Sequence, residues 1–163
     1  MDLSRYFHQD EFDQLDALFR ATLKEDAALV FWTGISPTLA KTWADKKNLK
    51  TLTTAMGSFY SDHGSASLRS RKSKKSWSTF MKGASGVFAQ HACYSRHAIV
   101  LTKPPPNIYS TRPGSNYRNI EEPILKGFGS DIRTIRIDYA HPVVTGAECF
   151  VYQRWPEDRS CEW

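Results

Sequence analysis

Residues 27–53 carry the pattern that most restricts the fold. Ala27-Ala28-Leu29-Val30-Phe31-Trp32 is a short apolar run closing on Thr33-Gly34, the form of a strand buried on both faces. Ser36 then offers an N-cap and Pro37 a first helical position. Leu39, Ala40, Trp43 and Ala44 follow at helical spacing until the Lys46-Lys47-Asn48 segment. Thr51-Leu52-Thr53 reads as a second strand, broken by Gly57. Strand, tight turn, helix and strand in so short a span make a βαβ unit. The expected class is therefore α/β, a small and mostly parallel central sheet flanked by helices. In such a sheet a ligand lies at the carboxyl ends of the strands. Trp32 stands at one of these ends, as a core residue or as a wall for a ligand.

The remaining chain supplies elements of the same kind. Residues 10–23 predict an amphipathic helix, with Phe12, Leu15, Phe19 and Leu23 on one face and acids in the first turn. Residues 77–93 predict another, with Trp77, Phe80, Met81, Ala84, Phe88 and Ala92 at helical spacing and Ser85 one turn from Met81. Residues 97–102 form a convincing strand, stopped by Pro104-Pro105-Pro106. Two more strands are expected over 132–139 and 149–155. The imperfect alternation of Ile132, Ile135 and Ile137 allows a bulge in the first. Residues 58–76 are polar, Ser-rich and basic and predict a flexible loop. With 163 residues and neither an internal repeat nor a composition break, the chain is expected to be a single domain over 1–163.

The net charge of +5 is concentrated in Arg69-Ser70-Arg71-Lys72-Ser73-Lys74-Lys75. That run lacks the interleaved aromatics of a single-strand groove, so a solvated loop is favoured over nucleic-acid binding. Cys93, Cys149 and Cys161 give no Cys-x-x-Cys, and no His pair has zinc spacing, so no metal is expected. Cys93 falls on the apolar side of its helix, and Cys149 and Cys161 could pair in an oxidising compartment. No apolar run approaches the length of a membrane span, and the first residues do not form a signal peptide. The expectation is a protein that works where it is made, cytoplasmic, or a delivered toxin-like domain, with no membrane partner.

Standard phosphate-binding and nucleophile motifs are missing: there is no Walker loop, no Gly-x-Gly-x-x-Gly turn and no Gly-x-Ser-x-Gly elbow. The five histidines are scattered. The stretch 115–125 stands out instead. It brings Ser115, Asn116, Tyr117, Glu121 and Glu122 together, with Ile120, Ile124 and Leu125 to anchor them, beyond a Pro-rich turn and Gly114. Aromatic residues and a carboxylate without a metal suit cleavage of a glycosidic bond whose leaving group departs unaided.

Four segments, in order, carry a family resemblance. Val30-Phe31-Trp32-Thr33-Gly34 resembles the first tryptophan motif of the ADP-ribosyl cyclase and NAD glycohydrolase family. Thr51-Leu52-Thr53-Thr54-Ala55-Met56-Gly57 is similar to its Thr-Leu-Glu-Asp-Thr segment. Phe80-Met81-Lys82-Gly83-Ala84-Ser85-Gly86-Val87-Phe88-Ala89-Gln90-His91-Ala92-Cys93 resembles its active-site helix. Ser115-Asn116-Tyr117-Arg118-Asn119-Ile120-Glu121 resembles the motif that ends in its catalytic glutamate. The resemblance implies a shortened member whose fold matches the nucleotide-binding half of the cyclase. Glu121 would be the catalytic carboxylate, facing the oxocarbenium formed as neutral nicotinamide leaves. Trp32 would stack on a ring of the substrate, Ser85 would lie near the ribose or the reaction centre, and Asn116 near the phosphates, with Ser115 and Tyr117 in the surrounding wall. The family's second tryptophan falls on Met81, with Trp77 one turn earlier to fill the space, and its acidic pair falls on Thr53 and Thr54.

The expected activity is hydrolysis of NAD or NADP, as substrate rather than cofactor, to nicotinamide and ADP-ribose, with some cyclic ADP-ribose. Two alternatives remain open on the residues alone. One is a non-catalytic nucleotide-binding module, which Met81 and the two threonines make credible. The other is a basic nucleic-acid-binding or ribonuclease-like domain using residues 69–75 and a His/Glu pair.

Overall fold

The computed structural model describes residues 2–64, 67–103, 114–127, 135–142, 151–156 and 159–160. Its centre is a six-stranded sheet in the order β2-β1-β3-β4-β5-β6. These strands are β1 (Leu29–Trp32), β2 (Lys50–Thr51), β3 (His97–Leu101), β4 (Arg136–Ala140), β5 (Val151–Trp155) and β6 (Arg159–Ser160). The first four run parallel, and β5 and β6 are antiparallel additions at one edge. The α/β class and the parallel core expected from the sequence are therefore present.

The helices are α1 (Gln9–Thr22), α2 (Pro37–Lys46), α3 (Leu52–Met56), α4 (Lys74–Ser95) and α5 (Glu122–Gly127). They cover both faces, and strand alternation shows how. Leu29 and Phe31 of β1, Ala98 and Val100 of β3, and Ile137 and Tyr139 of β4 face the larger core, with Leu15 and Phe19 of α1 and Phe80, Ala84 and Phe88 of α4. Val30, Leu101 and Ala140 point the other way, onto Ala40, Trp43 and Ala44 of α2. The crossover from β1 leaves through α2 toward β2, and the chain returns through α4 to β3 on the other side of β1. The strand order thus reverses between β1 and β3, the place where open parallel sheets accept ligands.

The second expected strand is corrected. Only Lys50 and Thr51 pair with β1, and Leu52 to Met56 is helical. Thr51 is the reason: its hydroxyl accepts from Thr54 N at 3.4 Å and the Thr54 hydroxyl accepts from Thr51 N at 2.8 Å, a capping box that starts a helix where a strand was expected. The helix expected over 77–93 starts three residues earlier because Ser73 caps it, accepting from Ser76 N at 3.2 Å. The region expected as a basic loop contains short helical turns at Gly57–Phe59 and Arg69–Arg71. There Arg69 bonds Asp62 at 3.1 Å, Arg71 bonds Ser67 O at 3.1 Å and Lys72 pairs with Glu11. Ile135 and Ile137 share the core face with Tyr139, and the β-bulge lies between β4 and β5. Ile132, Pro104 to Pro106 and the Cys149 and Cys161 pair lie outside the described residues. Cys93 is buried, as its helix position predicts, and burial pushes its thiol up to about 12.

Candidate active site

The segment that presents Glu121 is a widened turn. Tyr117–Glu121 is π-helical, and the N–H of Glu122 donates to the carbonyl of Tyr117, five residues back. Pro123 explains part of this. Its ring would strike the carbonyl four residues earlier in a regular helix, and a wider turn moves that carbonyl aside. Single π-turns inside helices are frequent at functional sites. Gly114 enters the turn at a φ of 107°, which a side chain would resist. The Ser115 hydroxyl then accepts from Arg118 N at 3.3 Å, holding the first turn.

Ser85 and Glu121 meet in the interior. The Ser85 hydroxyl donates to Oε1 of Glu121, joining α4 to the π-turn across 36 residues. Ser85 is 1% exposed and Glu121 8%, so the pair is buried. Burial pushes the Glu121 carboxyl up to about 7, and the Ser85 hydrogen bond pulls against that rise. Such a group is poised between acid and carboxylate near neutral pH, a property that clusters at working sites.

Register places the pair near the carboxyl edge of the sheet. Phe31, Val100 and Tyr139 are aligned in one row, and the Phe31 and Phe88 rings are 5.1 Å apart. The ladder continues one residue beyond the strands, with Thr33 N donating to Leu101 O and Thr102 N to Ala140 O, each at 3.0 Å. The next row on the same face is therefore Thr33, Thr102 and His141. All three are buried, at 3%, 0% and 6% exposed. This row lies about 7 Å beyond Phe31 at two residues of strand rise. Ser85, one turn before Phe88 on a helix that feeds antiparallel into β3, lies about 4.5 Å in the same direction. The carboxyl edge of the parallel strands thus carries a buried polar layer at about the height of the Ser85–Glu121 pair. Within it, Thr33 Oγ1 has no hydrogen-bond partner among the described residues. Burial holds His141 below its ordinary pKa, which favours the neutral imidazole.

The other sequence-predicted residues are distributed as follows. Tyr117 is 1% exposed, and its hydroxyl meets that of Tyr139 at 2.9 Å, making it a buried anchor of the turn. Asn116 is half-buried at the mouth of the turn, beside Ser115. Met81 is one turn from Ser85 and packs on the larger core. Trp77 is two turns from Ser85, stacked on Phe80 at 5.4 Å, with the Arg69 guanidinium 5.2 Å from its ring centre. That places it about 12 Å along the helix from Ser85, away from the position of Met81. Thr53 is half-buried on α3, its hydroxyl 3.2 Å from that of Thr51. Trp32 is half-buried and packs with the α2 layer, on the face of the sheet opposite the Ser85–Glu121 pair. Glu122, the neighbouring carboxylate, is paired with Lys126 at 2.7 Å.

Sequence reasoning missed Thr33, Thr102, His141 and Tyr139. A signal was present for three of them: each apolar strand run ends on a polar residue, Thr33, Thr102 or His141, at the same step past its strand. Among the described residues no group of three His, Cys, Asp or Glu side chains is placed to hold a metal ion. Among them, too, no helix is long and apolar enough to cross a membrane.

One further segment bounds the site. Leu3 and Phe7, ahead of α1, lie on α4 where it carries glycines. A Cβ on Gly86 would come 2.6 Å from Leu3 Cδ2 and 3.4 Å from Ile120 Cγ2, and one on Gly83 would come 2.2 Å from Phe7 Cε1. The chain before α1 therefore covers the seam between α4 and the π-turn, beside Ser85 and Glu121.

Comparison of the chain with protein-family models, with curated proteins and with solved structures finds no match.

Proposed function

We propose that this chain is an NAD glycohydrolase that breaks the nicotinamide–ribose bond and passes the ribosyl group to water. The observation that carries the reading is the buried Ser85–Glu121 pair, presented on a π-turn near the carboxyl edge of a parallel sheet. The resemblance of the 80–93 and 115–121 segments, which meet at this pair, supports it. Nicotinamide leaves as a neutral molecule, so the site needs no strong acid; it needs a fixed negative charge beside the carbon that becomes cationic. Glu121 supplies that charge, and Ser85 fixes its direction. The cationic pyridinium of the bound substrate favours ionisation of Glu121, drawing its pKa below the value of about 7 in the free protein. Water then adds to the ribosyl carbon, loses a proton to solvent and gives ADP-ribose. Capture by the adenine ring would give the cyclic product.

The test is incubation of the purified chain with NAD, with nicotinamide, ADP-ribose and cyclic ADP-ribose followed by chromatography. Release of nicotinamide by the wild type and its loss in Glu121→Gln is the expected result. Turnover that survives Glu121→Gln overturns the mechanism.

The burial of Glu121 favours one second reading, a nucleotide-binding module without turnover, because a carboxyl poised near 7 is neutral for part of the time in the free protein. That reading expects NAD to raise the melting temperature with no nicotinamide released.

A further inference from the structure

We propose that Tyr139 is a positioning residue for Glu121: its phenol, bonded to that of Tyr117, holds the 117–121 turn in the π register that aims the Glu121 side chain at Ser85. This rests on Glu121 being the reactive carboxylate. The two hydroxyl oxygens are 2.9 Å apart, the rings stand at 89° with centres 6.5 Å apart, and both residues are 1% exposed. Tyr117 is the first residue of the π-turn and the acceptor of its five-residue hydrogen bond. Whatever fixes Tyr117 therefore fixes the start of the turn.

Geometry makes this consequential. In an α-helix, residues four apart share a face, so an α register would carry Glu121 toward the side that Tyr117 takes, facing β4. The wider turn swings Glu121 back to the other flank of Tyr117, and there its carboxyl meets Ser85 of α4. Pro123 disfavours the regular register but does not select which way the turn faces. The bond to Tyr139, on a central strand, does. Opposite it, Ile120 lies against Gly86 and Leu3. The turn is thus held from the sheet side by a polar link and from the helix side by packing.

The titratable groups on the segments packed around Glu121 include the two phenols, the buried thiol of Cys93, exposed Lys82 and half-buried His91 on α4, Asp138 and Arg136 paired on β4, Asp2, Arg5 and Tyr6 ahead of α1, Glu122 in its pair with Lys126, exposed Arg118 on the same turn, and His141 beyond β4. The Glu121 shift arises from burial, with Ser85 opposing it, and not from a charged neighbour. Its titration therefore reports where the side chain sits.

The experiment compares wild type, Tyr139→Phe, Tyr117→Phe and the double variant. The Glu121 carboxyl is titrated by isotope-edited infrared spectroscopy, with Glu121→Gln identifying its band. Steady-state kinetics with NAD follow. Expected is a titration midpoint that falls from about 7 toward the ordinary carboxylate range in either single variant, as the side chain swings out of its buried position. The expected loss in kcat is roughly 10- to 100-fold with KM little changed, the cost of a small misplacement of a reacting group. The double variant should be no worse than either single one, because both remove the same bond. A Tyr139→Phe protein whose melting temperature falls while its Glu121 midpoint and kcat stay put overturns the proposal and leaves Tyr139 as packing alone. A wild type that does not cleave NAD sinks the hydrolase reading, but the carboxyl titration still decides whether Tyr139 positions Glu121.

Discussion

Glu121→Gln should stabilise the fold in base while it abolishes turnover, and the size of the effect can be worked out. The carboxyl has a pKa of about 7 in the folded chain against 4.5 for the free group, a rise of about 2.5 units. At about 1.4 kcal/mol per unit this is about 3 kcal/mol. The sign follows from the direction of the shift. A raised folded-state value gives stability that is fully present below pH 4.5 and is lost as the pH climbs through 7. The wild type therefore loses about 3 kcal/mol from this residue over that window, while glutamine, which does not titrate, loses nothing. Glutamine can still accept from Ser85, but its amide N–H groups need partners, a cost that does not change with pH. Urea melts at pH 4 and pH 9 measure the difference between the two differences, so the constant cost cancels. In thermal melts the advantage gained by the variant should amount to about 6–12 °C in a chain of this size. A stability difference that does not change between the two pH values refutes the burial argument. The same ionisation should set the acid limb of kcat/KM near 7 and place that of kcat lower, because the bound cation favours the carboxylate.

Four further substitutions test other parts of the structure by melting curves. Thr33→Val removes a buried oxygen that has no partner among the described residues, so stability should hold or rise by about 1 kcal/mol while KM for NAD rises; a clear loss of stability would mean that the hydroxyl is satisfied. Gly83→Ala should destabilise by about 1–2 kcal/mol despite the better helix propensity of alanine, because its Cβ meets Phe7 and the Tyr6 Cβ. Gly86→Ala should cost less, since it meets chiefly the methyl ends of Leu3. Asp138→Asn should cost about 1–3 kcal/mol by removing the charge from a buried carboxylate that takes charge-assisted hydrogen bonds from partly exposed side chains. Asp138 takes bonds from Arg136 at 2.7 and 2.9 Å, His97 at 2.8 Å and Arg154 at 2.9 Å. Burial alone would raise its carboxyl, but these bonds outweigh it and hold the group well below the usual range. Its contribution is therefore present above pH 3.8 and fades as the pH falls further, so wild type and variant should converge in acid.

The sheet was legible because its strands are short apolar runs with punctuation at both ends. Leu29 to Trp32 and His97 to Leu101 could hardly be anything else. Thr51 to Thr53 misled because three β-branched or apolar residues satisfy strand propensity, whereas the hydroxyls of Thr51 and Thr54 cap a helix, and that local bond decides. The hydrogen bond of Ser85 to Glu121 was not legible in the sequence. No spacing rule joins residues 36 positions apart on separate helices. The phenol link of Tyr117 to Tyr139 was hidden for the same reason, since Tyr117 reads as a wall residue until β4 is placed behind it. Trp32 shows the limit in reverse. Sequence sets it at a strand end, but the parity that turns its side chain toward α2 needs the register of β1 against its neighbours.

The glycines of α4 also bear on the order in which the molecule is built during synthesis. Leu3 and Phe7 leave the ribosome well before α4, and the surface they need, around Gly83 and Gly86, is made about eighty residues later. Contacts of such long range close late and slow folding. The leading segment must wait, with its apolar side chains uncovered, until α4 exists to receive it. The Ser85–Glu121 seam is therefore sealed only after the growing chain has passed the π-turn.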